Sequence, residues 1–402
     1  MPVGRLRRTW VKSIKRTQRS INGLWHIFEP AGRNCKDAKQ QVTEQLIEQK
    51  TPYVKEFPLR EAHHLVRDLM TPNPWIYWVD FLFHVTLGWA AFFTALFSPF
   101  LSLWQLGSFI VAVLALYRSA IFVHELAHLK KGTFQNFRLA WNILSGIPFM
   151  IPSFTYDGVH NDHHKPDVYG THADGEYLPF ATRKPGEMAV YVLLSLLIPI
   201  FLAMRFVILT PLTYLIPPLR KVVWKRASSL TIDPTYRRAE NAVRNDLNWR
   251  QQEIAACLFG TAVIALVILE VFPYSLLILW YLIAVTVFIL NSLRTLAAHA
   301  YRNPGDRKMT LAEQYLDSIN IPGNFLITPL WAPVGLRYHA THHLFMSMPY
   351  HNLGKAQRRL VNNLTDNSQY IQTLRSGLWP ALKQIWRESS AAATHSSRRQ
   401  SN

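Results

Sequence analysis

Cysteine is nearly missing from this chain. Cys35 and Cys257 are the two among 402 residues, which excludes a disulfide scaffold and any zinc or iron–sulfur site built on thiolates. Charge is scarce too: Asp, Glu, Lys and Arg make up 17% of the sequence, well under the roughly 25% of a soluble domain. The charge present has one dominant sign, with a formal net value of +18. No Gly-x-Gly-x-x-Gly segment occurs, so the chain carries no dinucleotide-binding loop of its own. The first 75 residues contain no compact apolar stretch of the signal-peptide kind and are expected to stay in the cytosol. What is abundant is aromatic: 13 Trp, 16 Tyr and 22 Phe exclude a disordered protein. With 49% apolar residues, the basic surface is better matched to anionic lipid than to nucleic acid.

Long apolar runs come in two pairs. Phe81–Leu101 and Leu103–Val123 form the first, Ile254–Phe272 and Tyr274–Leu296 the second, divided by Pro273. Each is close to the 20 or so residues that cross a bilayer. Trp75, Tyr77 and Trp78 precede the first run as an interfacial belt. Basic residues precede both pairs, Arg5–Arg19 before the first and Arg220–Arg250 before the second, so both blocks are expected on the cytosolic face. Two broken apolar stretches remain. Leu139–Phe154 contains Gly146, Pro148 and Pro152; Met188–Pro218 contains Pro199, Arg205 and Pro211. A crossing by one of them would move the second basic block outside, so both are expected to be interfacial or re-entrant. The expected architecture is all-α: two pairs of transmembrane helices and a cytosolic helical cap. A basic segment 1–74, a membrane domain 75–355 and a C-terminal segment 356–402 divide the chain, with termini cytosolic. The serine-rich tail after Arg387 reads as disordered.

Histidine is the unusual feature, 16 in all. His124 and His128 flank Glu125 in His-Glu-Leu-Ala-His at the end of the second run, and i, i+4 spacing puts both imidazoles on one helical face. His160, His163 and His164 stand in His-Asn-Asp-His-His; His339, His342 and His343 repeat the spacing in His-Ala-Thr-His-His. A single box of that kind arises by chance in roughly 2–3% of such chains, so one alone means little and three together mean a great deal. His299 emerges just after the last span, in Thr-Leu-Ala-Ala-His-Ala. Nine candidate imidazole ligands, all expected on one face, are too many for one ion and suit two. The donor set fits iron, zinc, copper or nickel, and only a redox metal with open positions explains its placement against lipid. The competing pattern is the zinc-protease motif, with His124 and His128 as ligands and Glu125 as base; it leaves the remaining clustered histidines unused.

The three boxes, their order and their placement around paired spans resemble the integral membrane fatty acid desaturase superfamily, which also contains hydroxylases and ketolases. Leu336-Arg-Tyr-His-Ala-Thr-His-His-Leu-Phe is especially similar to that family's third box, and His299 to an extra ligand of several members. The resemblance, over residues 75–355, implies a di-iron centre, dioxygen as co-substrate and removal of hydrogen from an unactivated acyl chain. It makes acyl-lipid desaturation the leading expectation, with hydroxylation or ketolation of a lipid or carotenoid as the alternative. Met346 stands where many members have Pro, and no His-Pro-Gly-Gly heme motif occurs, so no cytochrome b5 domain is fused. Electrons are expected from an external carrier of the ferredoxin or cytochrome b5 type, drawn to the basic face.

Metal-bound imidazoles usually donate their second nitrogen to a carboxylate. Glu125, Asp157, Asp162, Asp167, Asp174 and Glu176 lie near the boxes as candidates for that role, with His172 as a further one. His84, inside a span, is expected to be buried and hydrogen-bonded. Arg118 and Arg294, near span ends, are expected to snorkel to the interface, a contact with a substrate head group being the alternative.

Overall fold

The computed structural model describes residues 57–130, 133–239, 247–305 and 307–400; the basic cluster Arg5–Arg19 and Cys35 lie outside them. Helix α1, Pro74–Phe97, starts where the Asn73 side chain accepts the Trp75 N–H and Pro74 presets the first turn. It ends at Ser98-Pro99, and Ser102 caps α2, Leu103–His128, by accepting the Gln105 N–H. The two helices pack along their length. At Gly88 a side-chain carbon would stand 2.6 Å from Leu116, so the glycine sets how closely they approach. Helices α6, Leu247–Ile268, and α7, Ser275–Leu296, form the second pair. Among the described residues no strand forms, and the molecule is the expected all-α multi-pass membrane protein.

Its core lies between α1, α2 and α7, filled by Tyr77, Phe81, Phe122, Phe137, Trp141 and Tyr350, all buried. The outward faces are apolar as well: Phe100 is 85% and Leu103 88% exposed at the turn joining α1 to α2, as lipid-facing positions should be.

Two arginines inside the spans, Arg118 and Arg205, are paired. Arg118 donates to both Asp80 carboxylate oxygens, at 2.7 and 2.5 Å, and Asp80 also accepts from the Tyr350 hydroxyl at 2.6 Å. The expectation that Arg118 snorkels is therefore corrected: a carboxylate one helix away satisfies it. His84 is half-buried, 2.9 Å from Asp80.

The two broken stretches behave differently. Leu139–Phe154 splits into a helix ending at Trp141, a π-helical turn Asn142–Gly146 and loop, none long enough to cross. Met188–Pro218 takes in most of α3, Gly186–Leu194, and a continuous helical run α4, Ile198–Leu215, which is long and apolar enough to cross; α5, Pro217–Arg226, follows. That makes five candidate spans where four were expected. The breakers are absorbed locally. Pro199 occupies the first turn, and a π-helical segment Met204–Leu209 precedes Pro211, whose missing N–H would otherwise leave a gap. Arg205 is buried against Glu253 at 2.6 Å, with Arg220 on the same carboxylate at 3.0 Å.

Beyond α7 the chain forms short elements. An apolar loop missed in the sequence runs from Ile321 to Leu336, its Phe325, Leu326 and Ile327 exposed and its Trp331 carbonyl accepting from Tyr117 of α2. Helices α8, His339–Leu344, and α9, Tyr350–Asn363, follow. The last helix, α10, Leu378–Gln400, extends through the tail that composition marked as disordered.

Candidate metal centre

Four segments deliver nine imidazoles to one buried place. His124 and His128 project from the last turn of α2, one turn apart. His160 and His163 lie on a five-residue helix, Val159–His163, entered through Gly158 at φ 86°, a conformation that favours glycine. His339, His342 and His343 lie on α8. His299 is placed by backbone pairing: Ile319 N–H donates to the Ala298 carbonyl at 2.8 Å and Ala300 N–H to Asp317 at 2.6 Å. The next residues bond onward, Ile321 N–H donating to Arg337 beside the third box at 2.6 Å. Residues 317–321 thus tie His299 to His339, a link no motif announces.

The imidazoles form two groups of four. In the first, His124, His128, His160 and His342 place ligand atoms within 4.8 Å of one another; in the second, His163, His299, His339 and His343 do the same. Each His-x-x-His-His box is divided between the groups. His164 stands between them, its Nε2 3.2 Å from His160 and 3.0 Å from His342, its ring 4.4 Å from that of His343.

The outer nitrogens explain why the inner ones are free to ligate. His160 Nδ1 lies 2.7 Å from Glu176 and 3.0 Å from the Tyr156 hydroxyl. His163 Nδ1 lies 2.8 Å from Asp174, a carboxylate fixed by the N–H groups of Gly170 and Glu176. His299 Nδ1 meets the Tyr169 hydroxyl at 2.9 Å, and Tyr169 and Tyr177 both donate to Asp317. An imidazole that donates from Nδ1 to a carboxylate has a lone pair on Nε2. Yet Nε2 atoms face one another at 2.8 Å for His128 and His160 and 2.9 Å for His299 and His339. Such spacing matches neighbouring ligands at about 2.1 Å from a shared ion, whose cis separation is about 3.0 Å. Both nitrogens of His124 are buried without a hydrogen-bond partner. The residues fit metal ions.

Burial holds His160, His164, His299, His339, His342 and His343 well below the usual imidazole range, in the neutral form a metal requires. Burial also disfavours charge on His163, but the Asp174 carboxylate outweighs it and raises that group. Burial pushes Glu176 up to about 7.

Of the expected carboxylate partners, Asp174 and Glu176 take the role. Asp162 instead pairs with Lys165 at 2.5 Å, and Asp157 with Arg138 at 2.9 Å. His172 is exposed, its ring packed against Gly305. Glu125 accepts from the Tyr77 hydroxyl at 2.5 Å and the Tyr350 N–H at 3.2 Å, and its nearest approach to His124 Nδ1 is 3.6 Å. One residue on from His124, it points about 100° around the helix, joining α2 to α1 and α9. The general-base role of the protease motif is therefore not available to it. Asp317, Tyr169 and Ser318 were not foreseen, because they come close only through the 317–321 pairing and the loop after the second box; Tyr156, four residues before His160, was missed although its spacing is local.

Comparison with known proteins agrees with this geometry. The fatty acid desaturase family model matches residues 103–375, a range containing all nine histidines. The ceramide hydroxylase of Caulobacter vibrioides (strain NA1000 / CB15N) is 43% identical over 333 residues, covering 82% of this chain and 93% of its own length. No solved structure matches. A chain with that coverage and identity belongs to the fatty acid desaturase family of membrane oxidoreductases.

Proposed function

We propose that this protein is a membrane di-iron hydroxylase that adds oxygen to the hydrocarbon chain of a ceramide-type lipid. The observation that carries this reading is the 43% identity to a ceramide hydroxylase across nearly its whole length. It reverses the order expected from sequence, in which desaturation came first. Desaturation remains the second reading, favoured by the family whose model matches.

In this reading His124, His128, His160 and His342 hold one iron and His163, His299, His339 and His343 the other, with His164 completing either set. With dioxygen, the bound iron supplies the power to break an unactivated C–H bond; one oxygen atom goes to carbon, the other leaves as water, and two electrons and two protons are drawn from outside. The protein's part is positional. Glu176, Asp174 and Tyr169 fix ring orientation at His160, His163 and His299. The spans exclude water and give the substrate chain an apolar approach.

The histidine face is assigned to the cytosol. In support, the chain leaves that face near Phe180 and is back there at Arg238, which donates to the Phe154 and Asp157 carbonyls. Ser195 meets Ser292, Tyr281 donates to Leu196, and Arg205 then returns to Glu253 near the start of α6. Residues 186–215 accordingly dip and return without crossing. An acidic carrier of the ferredoxin or cytochrome b5 type is the proposed electron donor at the basic face.

The test is lipid mass spectrometry of a host expressing the protein beside a His163→Ala control. An added oxygen on ceramide supports hydroxylation. Loss of two hydrogens supports the desaturase, and no lipid change overturns both.

A further inference from the structure

Three arginines enter the apolar region, and two are neutralised. Arg118 has Asp80 and Arg205 has Glu253. Arg294, in the last turn of α7, has neither. Among the described residues no carboxylate pairs with it, its hydrogen bonds go to Asn291 of its own helix at 2.8 Å and to the Tyr117 hydroxyl, and its Nε is sealed from solvent without a partner. A side chain that merely snorkelled would carry its head to water. This one is only partly exposed and is held at the end of α7, five residues before His299, with the Tyr117 hydroxyl and the Glu176 carboxylate in its surroundings.

An unpaired cation beside a metal-binding centre is doubly unfavourable, through lost hydration and through repulsion by bound ions. The fold tolerates it where something dipolar completes the site. The surroundings say what kind of group. Tyr117, Tyr191, Asn291 and the Ser195–Ser292 pair, 2.9 Å apart, are all neutral donors and acceptors, set between α2, α3 and α7 where an acyl chain alone would need only apolar walls. A neutral carbonyl flanked by hydroxyls matches that lining and spares the desolvation of a second full charge.

We propose that Arg294 receives the amide carbonyl of an N-acylated, hydroxyl-bearing lipid, so that the polar linkage is anchored beside the histidines and determines which lipid class is accepted. This rests on the hydroxylase reading and adds the recognition element to it. Guanidinium Nε–H and Nη–H groups converge on a single carbonyl oxygen in a way a lysine ammonium does not reproduce.

The experiment is equilibrium binding to the full-length purified protein, followed by tryptophan fluorescence, with ceramide, chain-matched diacylglycerol and free fatty acid as ligands. The wild type should bind ceramide about tenfold more tightly than diacylglycerol, whose ester carbonyls are weaker acceptors than an amide and which carries one hydroxyl where ceramide has two. Arg294→Met should abolish that preference while the protein stays monodisperse, and Arg294→Lys should fall between. Equal binding of ceramide and diacylglycerol by the wild type, tighter binding of fatty acid, or an undiminished preference in Arg294→Lys overturns the proposal. If cells still gain oxygen on ceramide in that case, the recognition role alone falls. If no lipid gains oxygen, the hydroxylase reading falls with it.

Discussion

His124 and His128 reach the first imidazole group from a 26-residue membrane helix, whereas His163 and His299 reach the second from short elements braced by Asp174 and Tyr169. The helix needs no hydrogen bond to aim its rings: both nitrogens of His124 lack one. Backbone rigidity and the packing of Phe122 and Leu126 do the aiming. At His163 and His299 that support is missing and the outer nitrogen is tied down, whereas His339 and His342 on α8 have no partner at Nδ1. The same ligand type is thus positioned by two different devices, and the second should be far more sensitive to loss of a single polar contact.

The largest effect expected is on the ligands themselves. His342→Ala and His163→Ala, one from each group, should each bring turnover to background and lower bound iron, measured by elemental analysis, while the protein remains in the membrane. Turnover preserved in either would break the two-group assignment.

Next comes the brace. Asp174→Asn should weaken iron retention about 10–100-fold in a chelator titration, because Asp174 is the carboxylate at His163 Nδ1. Glu176→Gln should do less, a few-fold at most, since the Tyr156 hydroxyl stays on His160 Nδ1. Equal effects would erase the distinction between a singly and a doubly tied ring.

Smaller still is Tyr169→Phe. It removes one partner of His299 Nδ1 and leaves Ser318 at 3.3 Å, so a two- to threefold rise in chelator sensitivity, about 0.5 kcal/mol, is expected. The smallest change at the metal should come from Glu125→Gln. It alters a structural link on the helix-borne side, so thermal stability in detergent should fall by about 1–2 kcal/mol with iron content unchanged. Loss of turnover with stability intact would instead return Glu125 to a chemical role.

The sequence showed the boxes because each is local: three histidines within five residues can be read without knowing the fold. The spans were legible for the same reason, through length and apolarity. What was hidden depends on distant pairing. Asp174 and Glu176 could not be told from Asp157 and Asp162 by position, because all four lie near the second box and only the folded loop decides which carboxylate turns inward. The helical continuity of α4 was hidden because Pro199, Arg205 and Pro211 look like breakers until Glu253 and the π-helical turn are seen to accommodate them. Arg118 was misread because its partner, Asp80, is 38 residues away. The serine-rich tail misled because composition alone does not show Glu388 pairing with Arg302 or the Ser389 hydroxyl donating to the Arg183 carbonyl.

The division of each box between both groups has a consequence for biosynthesis. His342 completes the first group and His343 the second, so neither group is complete until the ribosome has passed residue 342. By then all the candidate spans have been made. Under the proposed two-iron reading, metal loading would be a late event in the life of this chain, following insertion instead of guiding it, with the two groups completed one residue apart. A nascent chain stalled before His339 would sit in the bilayer with three imidazoles of the first group and two of the second, short of the full pair of sites.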